Sequence, residues 1–369
     1  MKVVENYQFD FFQNLSEKCV KNIKLLELIS KKGIISRTEI SKTTGINIVS
    51  VSNYINKYIE NKLVLEKGFD TSTGGRKPEL VELNKNDNFV IGVDIRKDSI
   101  RVVLSDIGMN IIGKAHELRP EDKPKEAVGM ACGLIDEVIK KAALPPGSIK
   151  AVGVGTNSGD YAAIGKEVKN RFGIDTFVGD EPSCAAFGER SMNKKISSES
   201  MLYMYSDVGC GVFIDENGGR VSDGESRYLS AWNDMLGVVN LAKYDVARGV
   251  GTNIVEIAKG KMENITEETV IEATENKDEV ALSIMRSVGM SLGLRIAYLI
   301  NLFNPKTVII GGGIEKSGDL VLEPIKKTVK RLSLKDRSGS VVIMPGLLGE
   351  ESVSLGAASL AAREIFIKV

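Results

Sequence analysis

Apolar residues recur every three or four positions near the start of the chain, which is the spacing of an amphipathic α-helix. Residues 22–33 show this spacing and stop at Gly33, and residues 36–45 begin with Ser36 and Glu39 in the pattern of a capping box. The apolar positions of the first stretch are Ile23, Leu25, Leu26, Leu28 and Ile29. The pattern therefore predicts two short helices in succession.

A third helical stretch, residues 47–63, follows after the short linker TTGIN and begins with Asn47 as its cap. Two helices joined by so short a linker are typical of a helix-turn-helix. The positions expected to be buried are Val51, Tyr54 or Ile55, Tyr58 and Ile59. The opposite face carries short hydrogen-bonding side chains followed by a cation, namely Asn47, Ser50, Ser52, Asn53 and Lys57. Such side chains bind base edges and phosphates, so this face is predicted to contact DNA.

Residues 63–84 alternate between apolar and polar positions on either side of the sequence GGRKP, which predicts two strands and a tight tip. The glycines let the tip bend, and Pro78 stiffens its exit. Arg76 and Lys77 then stand at the apex of a wing that fits the DNA backbone or the minor groove. The alternative is a protein-interaction module with a solvated hairpin. The order and spacing of the elements favour a winged helix-turn-helix over residues 1–85.

From residue 89 the pattern changes to a mixture of strands and helices. Residues 89–118 predict a three-stranded meander, and residues 124–144 predict a helix followed by a buried strand. A second block, again strands followed by helices, begins near residue 200. Two such blocks indicate a duplicated α/β fold with a cleft between two lobes. We expect the first lobe over 86–195, completed by a C-terminal helix at 352–369, and the second over 196–351, including dimerisation helices.

The composition of the 369 residues is that of an ordinary globular protein, with 43% hydrophobic and 27% charged residues. No apolar run approaches the ~18 residues that span a bilayer, and the N-terminal residues lack the pattern of a secretion signal. The four cysteines, Cys19, Cys132, Cys184 and Cys210, are scattered, which suits a reducing cytoplasm. Because His116 is the only histidine, a His/Cys zinc site is close to excluded.

The formal net charge is zero, but the charge is unevenly distributed. Residues 1–85 hold 14 Lys and Arg against 10 Asp and Glu, and the remainder holds 35 against 39. This modest basic excess at the front of the chain is compatible with a DNA-binding module.

Several stretches resemble the ROK family of repressors, open reading frames and sugar kinases. They are STGGRKPELVELN in the wing, AAFGE at 185–189, NLFNPKTVIIGGGIEKSGDLVLEPIKK at 301–327 and LGEESVSLGAASLA at 348–361. The resemblance covers essentially the whole chain and includes the N-terminal winged helix of the family's repressor branch, such as the xylose and N-acetylglucosamine repressors. It implies a winged helix-turn-helix followed by a two-lobed, actin-like (ribonuclease-H-like) ATPase fold.

The resemblance also implies where a nucleotide would be held, and most of those positions are altered. In the family's kinases the first turn is Asp-x-Gly-Gly-Thr, whose amides hold phosphates. Here Asp94 is kept, but Arg-Lys-Asp at 96–98 replaces Gly-Gly-Thr, and Asp207 replaces a glycine of the second phosphate turn. What survives is a strand and a glycine turn on which this fold seats adenosine, formed by Gly311, Gly312 and Gly313.

The catalytic and sugar-binding motifs of the family are altered as well. The family's base is the aspartate of Asn-Asp-Ala-Asn, which aligns with DEPS, so that Glu181 occupies the base position and Ser183 that of the second asparagine. A glutamate reaches about one methylene further, and its alternative role is that of an acid facing a helix N-terminus. SAWND at 230–234 replaces the family's Gly-Glu-x-Gly-His motif. The remaining polar candidates for a sugar ligand are Asn157, Ser158, Asp160, Glu181 and Ser183.

These features favour a cytoplasmic ROK-type repressor that binds double-stranded operator DNA as a homodimer and senses a sugar or sugar-derived ligand. Ligand binding is expected to favour closure of the lobes and to change the spacing of the two DNA-binding modules. One alternative is an ATP-dependent sugar kinase, similar to a glucokinase or an N-acetylglucosamine kinase, which would use ATP and Mg²⁺. Another is a repressor whose body serves only for dimerisation. We expect no zinc and no membrane partner.

Overall fold

The computed structural model describes residues 16–69, 79–119, 126–157, 160–193, 196, 199–206, 210–215, 220–222, 237–334 and 341–369. The chain forms two compact units. The first comprises Met1–Ser197, Asn217–Gly219 and Glu351–Val369, and the second comprises Ser198–Glu216 and Arg220–Glu350. The winged module expected over residues 1–85 is therefore part of the same compact unit as the sheet that follows it.

Three helices and a small sheet begin the first unit: α1 Glu17–Lys32, β1 Ile35–Ser36, α2 Arg37–Thr44, α3 Ile48–Glu60, β2 Val64–Phe69 and β3 Glu79–Leu83. β3 pairs antiparallel with β1 on one side and β2 on the other. The Ser36 hydroxyl accepts a hydrogen bond from the Glu39 amide at 3.1 Å, and Gly45 ends α2 in a left-handed conformation. The helices and the wing strands thus occur where the pattern predicts them.

The rest of the first unit is built around a five-stranded sheet. Its elements are β4 Phe89–Ile95, β5 Ser99–Asp106, β6 Ile111–Leu118, α4 Ala127–Ala142, β7 Ile149–Thr156, α5 Tyr161–Phe172, β8 Asp175–Gly179, α6 Glu181–Met192 and a C-terminal helix, Ser352–Lys368. The strand order is β6-β5-β4-β7-β8, with an antiparallel meander on one side of β4 and parallel strands on the other. Every residue of β4 is buried because helices cover both faces of this central strand.

The C-terminal helix packs at distances that only glycine permits. A Cβ at Gly92 of β4 would lie 1.8 Å from the carbonyl oxygen of Ser354, and a Cβ at Gly356 would lie 1.7 Å from the carbonyl oxygen of Cys184. Both oxygens belong to the backbone, which cannot rotate away as a side chain can. The C-terminal helix therefore lies directly on β4 and α6, and most of its residues are buried.

The winged module packs against the same C-terminal helix. The Tyr58 ring of α3 meets the Phe366 ring edge-on, with centroids 4.9 Å apart. The Tyr58 hydroxyl donates a hydrogen bond of 2.5 Å to the buried side chain of Asn22 in α1. Burial raises the pKa of Tyr58, so the phenol stays protonated and remains a donor. One aromatic side chain thus joins two helices of the winged module to the C-terminal helix.

Residues 84–88, between β3 and β4, form a hydrogen-bonded joint. The side-chain amides of Asn84 and Asn88 both donate to the Lys62 carbonyl oxygen at 2.9 Å. The Asn88 carbonyl oxygen in turn accepts the Ile107 amide at 3.0 Å. The end of α3 is consequently fixed to the start of the five-stranded sheet.

The second unit repeats the topology of the first sheet. Its elements are β9 Met201–Tyr205, β10 Cys210–Ile214, β11 Arg220–Ser222, α7 Val238–Ala247, α8 Asn253–Ile257, α9 Glu267–Glu275, α10 Glu279–Phe303, β12 Thr307–Gly311, α11 Asp319–Leu332 and β13 Val342–Pro345. The order β11-β10-β9-β12-β13 again has an antiparallel meander on one side of its first strand and parallel strands on the other. The shared topology confirms the predicted duplicated α/β fold.

Helix α10 runs through the core of the second unit. Within the described part of the chain, α10 is long and apolar enough to cross a bilayer, with a mean hydropathy of 1.3 over 18 residues. This finding corrects the expectation that no apolar stretch approaches that length. Half of that window is buried, and the core helix of a globular protein passes the same test. The outer face of α10 carries four apolar side chains that are 43–63% exposed, at Met290, Leu294, Tyr298 and Leu302.

We expect Gly356→Ala to lower the free energy of unfolding by about 2 kcal/mol or more, because the added methyl group must displace the Cys184 carbonyl. Urea unfolding of the full chain measures this change. The matched control is Gly133→Ala on the exposed face of α4, where an added Cβ meets nothing within 4 Å. There, replacing a mid-helix glycine should raise the stability by about 0.5–1 kcal/mol. Equal stabilities of the two variants would contradict the close packing of the C-terminal helix.

Candidate functional site

The exposed face of α3 includes the predicted DNA contacts. Asn47, Asn53 and Lys57 are exposed, whereas Ser50 and Ser52 are half-buried. The buried stripe on the other side of the helix consists of Val51, Ile55 and Tyr58. The predicted contact residues are polar and the last of them is a cation, which are the properties needed to contact base edges and phosphate.

The first turn of α3 also presents apolar side chains that sequence reasoning missed. Val49 is 65% exposed and Ile48 is 42% exposed. The Asn47 side chain caps this turn by accepting the Val49 amide at 2.8 Å. Helical periodicity identifies buried positions, and it gives no reason to notice an apolar residue on the polar side of a helix. The sequence does contain a sign that Val49 is exposed, because Val49 does not lie on the buried stripe formed by Val51 and Ile55.

Arg37, the first residue of α2, joins α3 to the strands of the wing. Its Nη1 donates to Asn56 Oδ1 at 2.7 Å and its Nη2 to Glu66 Oε1 at 3.2 Å, and its Nε lies 3.5 Å from Glu79 Oε2. The guanidinium therefore positions the base of the wing relative to α3. Sequence reasoning missed Arg37 because its partners come from three different elements.

Some predicted site residues lie outside the described residues. These are Arg76 and Lys77 at the tip of the wing, Ser158 in the shortened sugar-binding segment, Asp207 in the second phosphate turn, and SAWND at 230–234. The two strands that carry the wing are described as far as Phe69 and again from Glu79. The assignment of Arg76 and Lys77 to DNA binding stays a prediction.

The turn between β4 and β5, at the position of the family's first phosphate loop, is a closed hairpin. The Arg96 amide donates to the Ser99 carbonyl at 2.9 Å. Arg119 closes the turn from outside, because its amide donates to the Asp98 carbonyl at 2.7 Å and its Nε to the Lys97 carbonyl at 2.9 Å. Residues 96–98 have no positive φ, so the backbone does not adopt the conformations that glycine allows in a phosphate loop.

The residues of this turn do not fit a nucleotide phosphate chain. Asp94 is fully buried, and its Oδ2 accepts a hydrogen bond from Arg96 Nε at 2.8 Å. The carboxylate that would face metal-bound phosphate is thereby paired with a cation of its own chain. Asp98 adds a second negative charge to the turn. Charge compensation within the hairpin replaces the amide cradle that phosphate requires.

The N-terminus of α6 brings together two of the predicted ligand residues. Asp180 caps the helix by accepting the Ser183 amide at 2.9 Å. Glu181 is 3% exposed, and its Oε1 accepts the Asn157 amide at 3.2 Å. The end of β7 and the start of α6 thus meet at this carboxylate, which also faces the positive end of the helix dipole.

Ser183 and Asp160 differ in how their polar atoms are used. The Ser183 Oγ is fully buried and has no hydrogen-bond partner among the described residues. Asp160 caps α5 by accepting the Ala163 amide at 3.0 Å. A buried hydroxyl without a partner in the described part of the chain can bind a water or another small polar group, whereas the Asp160 carboxylate already has a structural role.

In the turn after β12, where adenosine binding is predicted, the fold itself requires each glycine. A Cβ at Gly311 would lie 2.1 Å from the Tyr203 hydroxyl oxygen, and Gly312 and Gly313 have φ values of 86° and 112°. The Gly313 amide donates to Glu315 Oε2 at 2.7 Å. A carboxylate of the same turn therefore binds the amide that a phosphate or a ribose would otherwise approach.

The opposite end of α6 contacts the winged module. Arg190 in the last turn of α6 is buried, and its Nε lies 3.6 Å from Glu27 Oε1 of α1. Every residue of α6 from Glu181 to Arg190 is buried. A single helix of the first unit therefore reaches from the Glu181 carboxylate to the winged module.

Comparisons with known proteins agree with this architecture. Residues 249–364 match the model of the ROK family. The chain is 25% identical to a xylose repressor of Caldicellulosiruptor bescii, over 94% of this chain and 96% of that protein. It is 22% identical to the DNA-binding transcriptional dual regulator NagC of Escherichia coli, over 94% and 93% of the two chains.

Solved structures share the fold at lower identity. A ROK family transcriptional regulator, a homologue of the E. coli MLC protein, matches with a TM-score of 0.71 and 17% identity over 95% of this chain and 96% of that one. A ROK family glucokinase from Streptomyces griseus, in complex with glucose and AMPPNP, matches with a TM-score of 0.63 and 20% identity over 74% and 99% of the two chains. These matches show a shared fold, and the ROK family model that matches residues 249–364 agrees with the family that the motifs indicated.

Proposed function

We propose that this chain is a transcriptional repressor that binds operator DNA through its winged helix-turn-helix and responds to a sugar or a sugar-derived ligand. The observation that carries the proposal is the exposed polar face of α3, including Asn53 and Lys57, in a helix-turn-helix followed by wing strands. Similarity over nearly the full length to proteins named as repressors supports it. Operator DNA as the partner implies a cytoplasmic protein.

DNA binding uses two kinds of contact. The first turns of α3 present polar and apolar side chains to base edges in the major groove, and Lys57 follows for phosphate. Arg76 and Lys77 at the tip of the wing contact the sugar-phosphate backbone or the minor groove. Arg37 keeps the base of the wing in register with α3 through its bonds to Asn56 and Glu66.

The ligand binds at the N-terminus of α6. A buried carboxylate at Glu181 accepts hydrogen bonds from sugar hydroxyls, and the unpartnered Ser183 hydroxyl supplies a further donor and acceptor. The Asn157 backbone amide donates to Glu181, so this residue lies at the same junction. Ser158 and Asp160 come soon after Asn157 in the sequence and stay predicted ligand residues, although Asp160 also caps α5.

The ligand acts on the winged module through α6. This helix is 12 residues long, or about 18 Å, and it is locked to the C-terminal helix by the contact between Gly356 and Cys184. A displacement at Glu181 is therefore passed to Arg190 and on to Glu27 of α1. A ligand that binds one position of α6 better than another shifts the population of DNA-binding conformers.

The protein acts as a homodimer that is formed through α10. Its exposed side chains Met290, Leu294, Tyr298 and Leu302 repeat every four residues and form one apolar stripe without charge. Two copies of such a stripe bury each other about a two-fold axis. A helix-turn-helix protein reads paired half-sites, which requires two copies.

A second candidate, an ATP-dependent sugar kinase, is favoured by the shared fold of the S. griseus glucokinase. Three observations weigh against it: the Asp94–Arg96 pair, the closed turn at 96–98 and the bond from the Gly313 amide to Glu315. Each one uses a group of the kinase site for contacts within the chain.

Replacing Arg76 and Lys77 together by Ala is expected to weaken DNA binding about 10- to 100-fold at low salt. The slope of log K against log salt should fall by about 2, because two phosphate contacts are lost. Fluorescence anisotropy with duplexes selected by the protein from a random library measures both quantities. Replacing Lys140 and Lys141 on α4, two exposed lysines outside the winged module, is the charge-matched control and should leave both unchanged.

A sugar that binds at Glu181 is expected to raise the melting temperature of the full chain, since ligand at 100 times its Kd adds about 2.7 kcal/mol to the stability. Thermal shift with a panel of pentoses, hexoses and N-acetylated hexosamines checks this. Glu181→Gln should abolish the shift, and Glu167→Gln on the exposed face of α5 should retain it. With ATP and Mg²⁺ added we expect no sugar-dependent ADP release. If the wild type releases ADP in the presence of a sugar and Glu181→Gln abolishes that release, the protein is a kinase instead.

Replacing Leu294 and Tyr298 together by Glu is expected to convert the dimer to a monomer, because each copy would bring two charges into an apolar contact. Analytical ultracentrifugation measures the mass in solution. Leu118→Glu, at an exposed residue of the edge strand β6, is the control and should remain dimeric. A wild-type protein that sediments as a monomer at micromolar concentration would overturn the assignment of α10.

A further inference from the structure

Val49 is a large apolar side chain on the DNA-facing side of α3. It is 65% exposed, so α3 gains nothing from burying it within this chain. Valine has no higher helix propensity than polar residues of similar size such as Ser, Thr and Asn, so Val49 is not there to favour the helix. Its place in the first turn, two residues after the Asn47 cap, is where a recognition helix approaches base edges.

Asn53 lies one helical turn after Val49 on the same face, because residues four apart are neighbours on a helix. Asn53 is exposed, and among the described residues its side-chain amide makes no hydrogen bond in the structure. The Asn56 side chain, by contrast, already accepts a hydrogen bond from Arg37. Asn53 is thus available to present both an amide donor and a carbonyl acceptor to a ligand.

We infer that Val49 and Asn53 make α3 a reader of A·T base pairs, with Val49 packed against the C5-methyl group of a thymine and Asn53 bonded to N6 and N7 of an adenine. This inference rests on the proposed function, since it names the DNA chemistry that the winged module selects. The thymine methyl is the apolar group that base pairs present in the major groove, and the adenine edge offers one donor and one acceptor that match an amide.

The remaining residues of the helix agree with this choice. The most frequent specific contact to guanine is made by Arg or Lys. Residues 47–56 contain neither, and the first cation of the helix is Lys57, nearly three turns from the cap. A preference for G·C pairs through the start of α3 is therefore disfavoured, while the apolar Val49 has a partner only where a thymine is present.

The test first selects binding sites for the full chain from a random duplex library at moderate salt. Each thymine of the selected half-site is then replaced singly by uracil, which removes the methyl group and keeps the base pairing. We expect one thymine position at which uracil weakens binding of the wild type about 3- to 10-fold. The Val49→Ala substitution should weaken binding to the thymine duplex by a similar factor. The variant protein should then bind the thymine and uracil duplexes with equal affinity.

Two further variants complete the test. Asn53→Ala should lose the preference for adenine at a position next to that thymine by about 10-fold. Ile112→Ala, at an equally apolar exposed residue of β6 outside the winged module, should keep the full uracil effect. Because Val49 is exposed, its variant should melt at the wild-type temperature.

The outcomes separate this inference from the proposed function. Selected sites that show no uracil-sensitive position, or a Val49→Ala variant that keeps the uracil effect, would overturn the inference and leave the repressor intact. Failure to enrich any DNA sequence would overturn both.

Discussion

The glycine-limited contact of the C-terminal helix is the constraint on which the first unit depends. Gly92 and Gly356 let the backbone of this helix approach the central strand and α6 more closely than any side chain would permit. At that distance the elements are held by many dispersion contacts and cannot be displaced by the rotation of a side chain. The last residues of the chain therefore fix the position of the first sheet, of the helix that carries Glu181, and, through Phe366, of the winged module.

That arrangement connects the winged module to α6, the helix that carries Glu181. A winged helix on a flexible linker would not respond to a conformational change in the rest of the protein. Here Asn84 and Asn88 tie the linker to the end of α3, and Arg190 of α6 approaches Glu27 of α1. A packed contact of this kind can transmit a small shift, because a close-packed interior deforms little.

The altered kinase positions follow one physical logic. In a phosphate site, amides and a metal-binding carboxylate must stay unsatisfied by the protein so that a ligand can satisfy them. In this chain, Arg96 Nε binds Asp94 Oδ2, Arg119 Nε binds the Lys97 carbonyl oxygen, and Glu315 accepts the Gly313 amide. Each of these contacts occupies, within the chain, a group that a phosphate ligand would otherwise engage.

The sequence by itself determined the helix-turn-helix, the wing strands and the duplicated α/β pattern, because periodicity, caps and glycine turns act over a few residues. It also placed Glu181 at a helix N-terminus, since Asp180 and Pro182 mark that end locally. The tertiary structure decided the rest: that Val49 faces solvent, that Arg37 spans three elements, and that the C-terminal helix joins the winged module to the sheet. Those features depend on residues far apart in the chain, and no local pattern encodes a distance between two backbones.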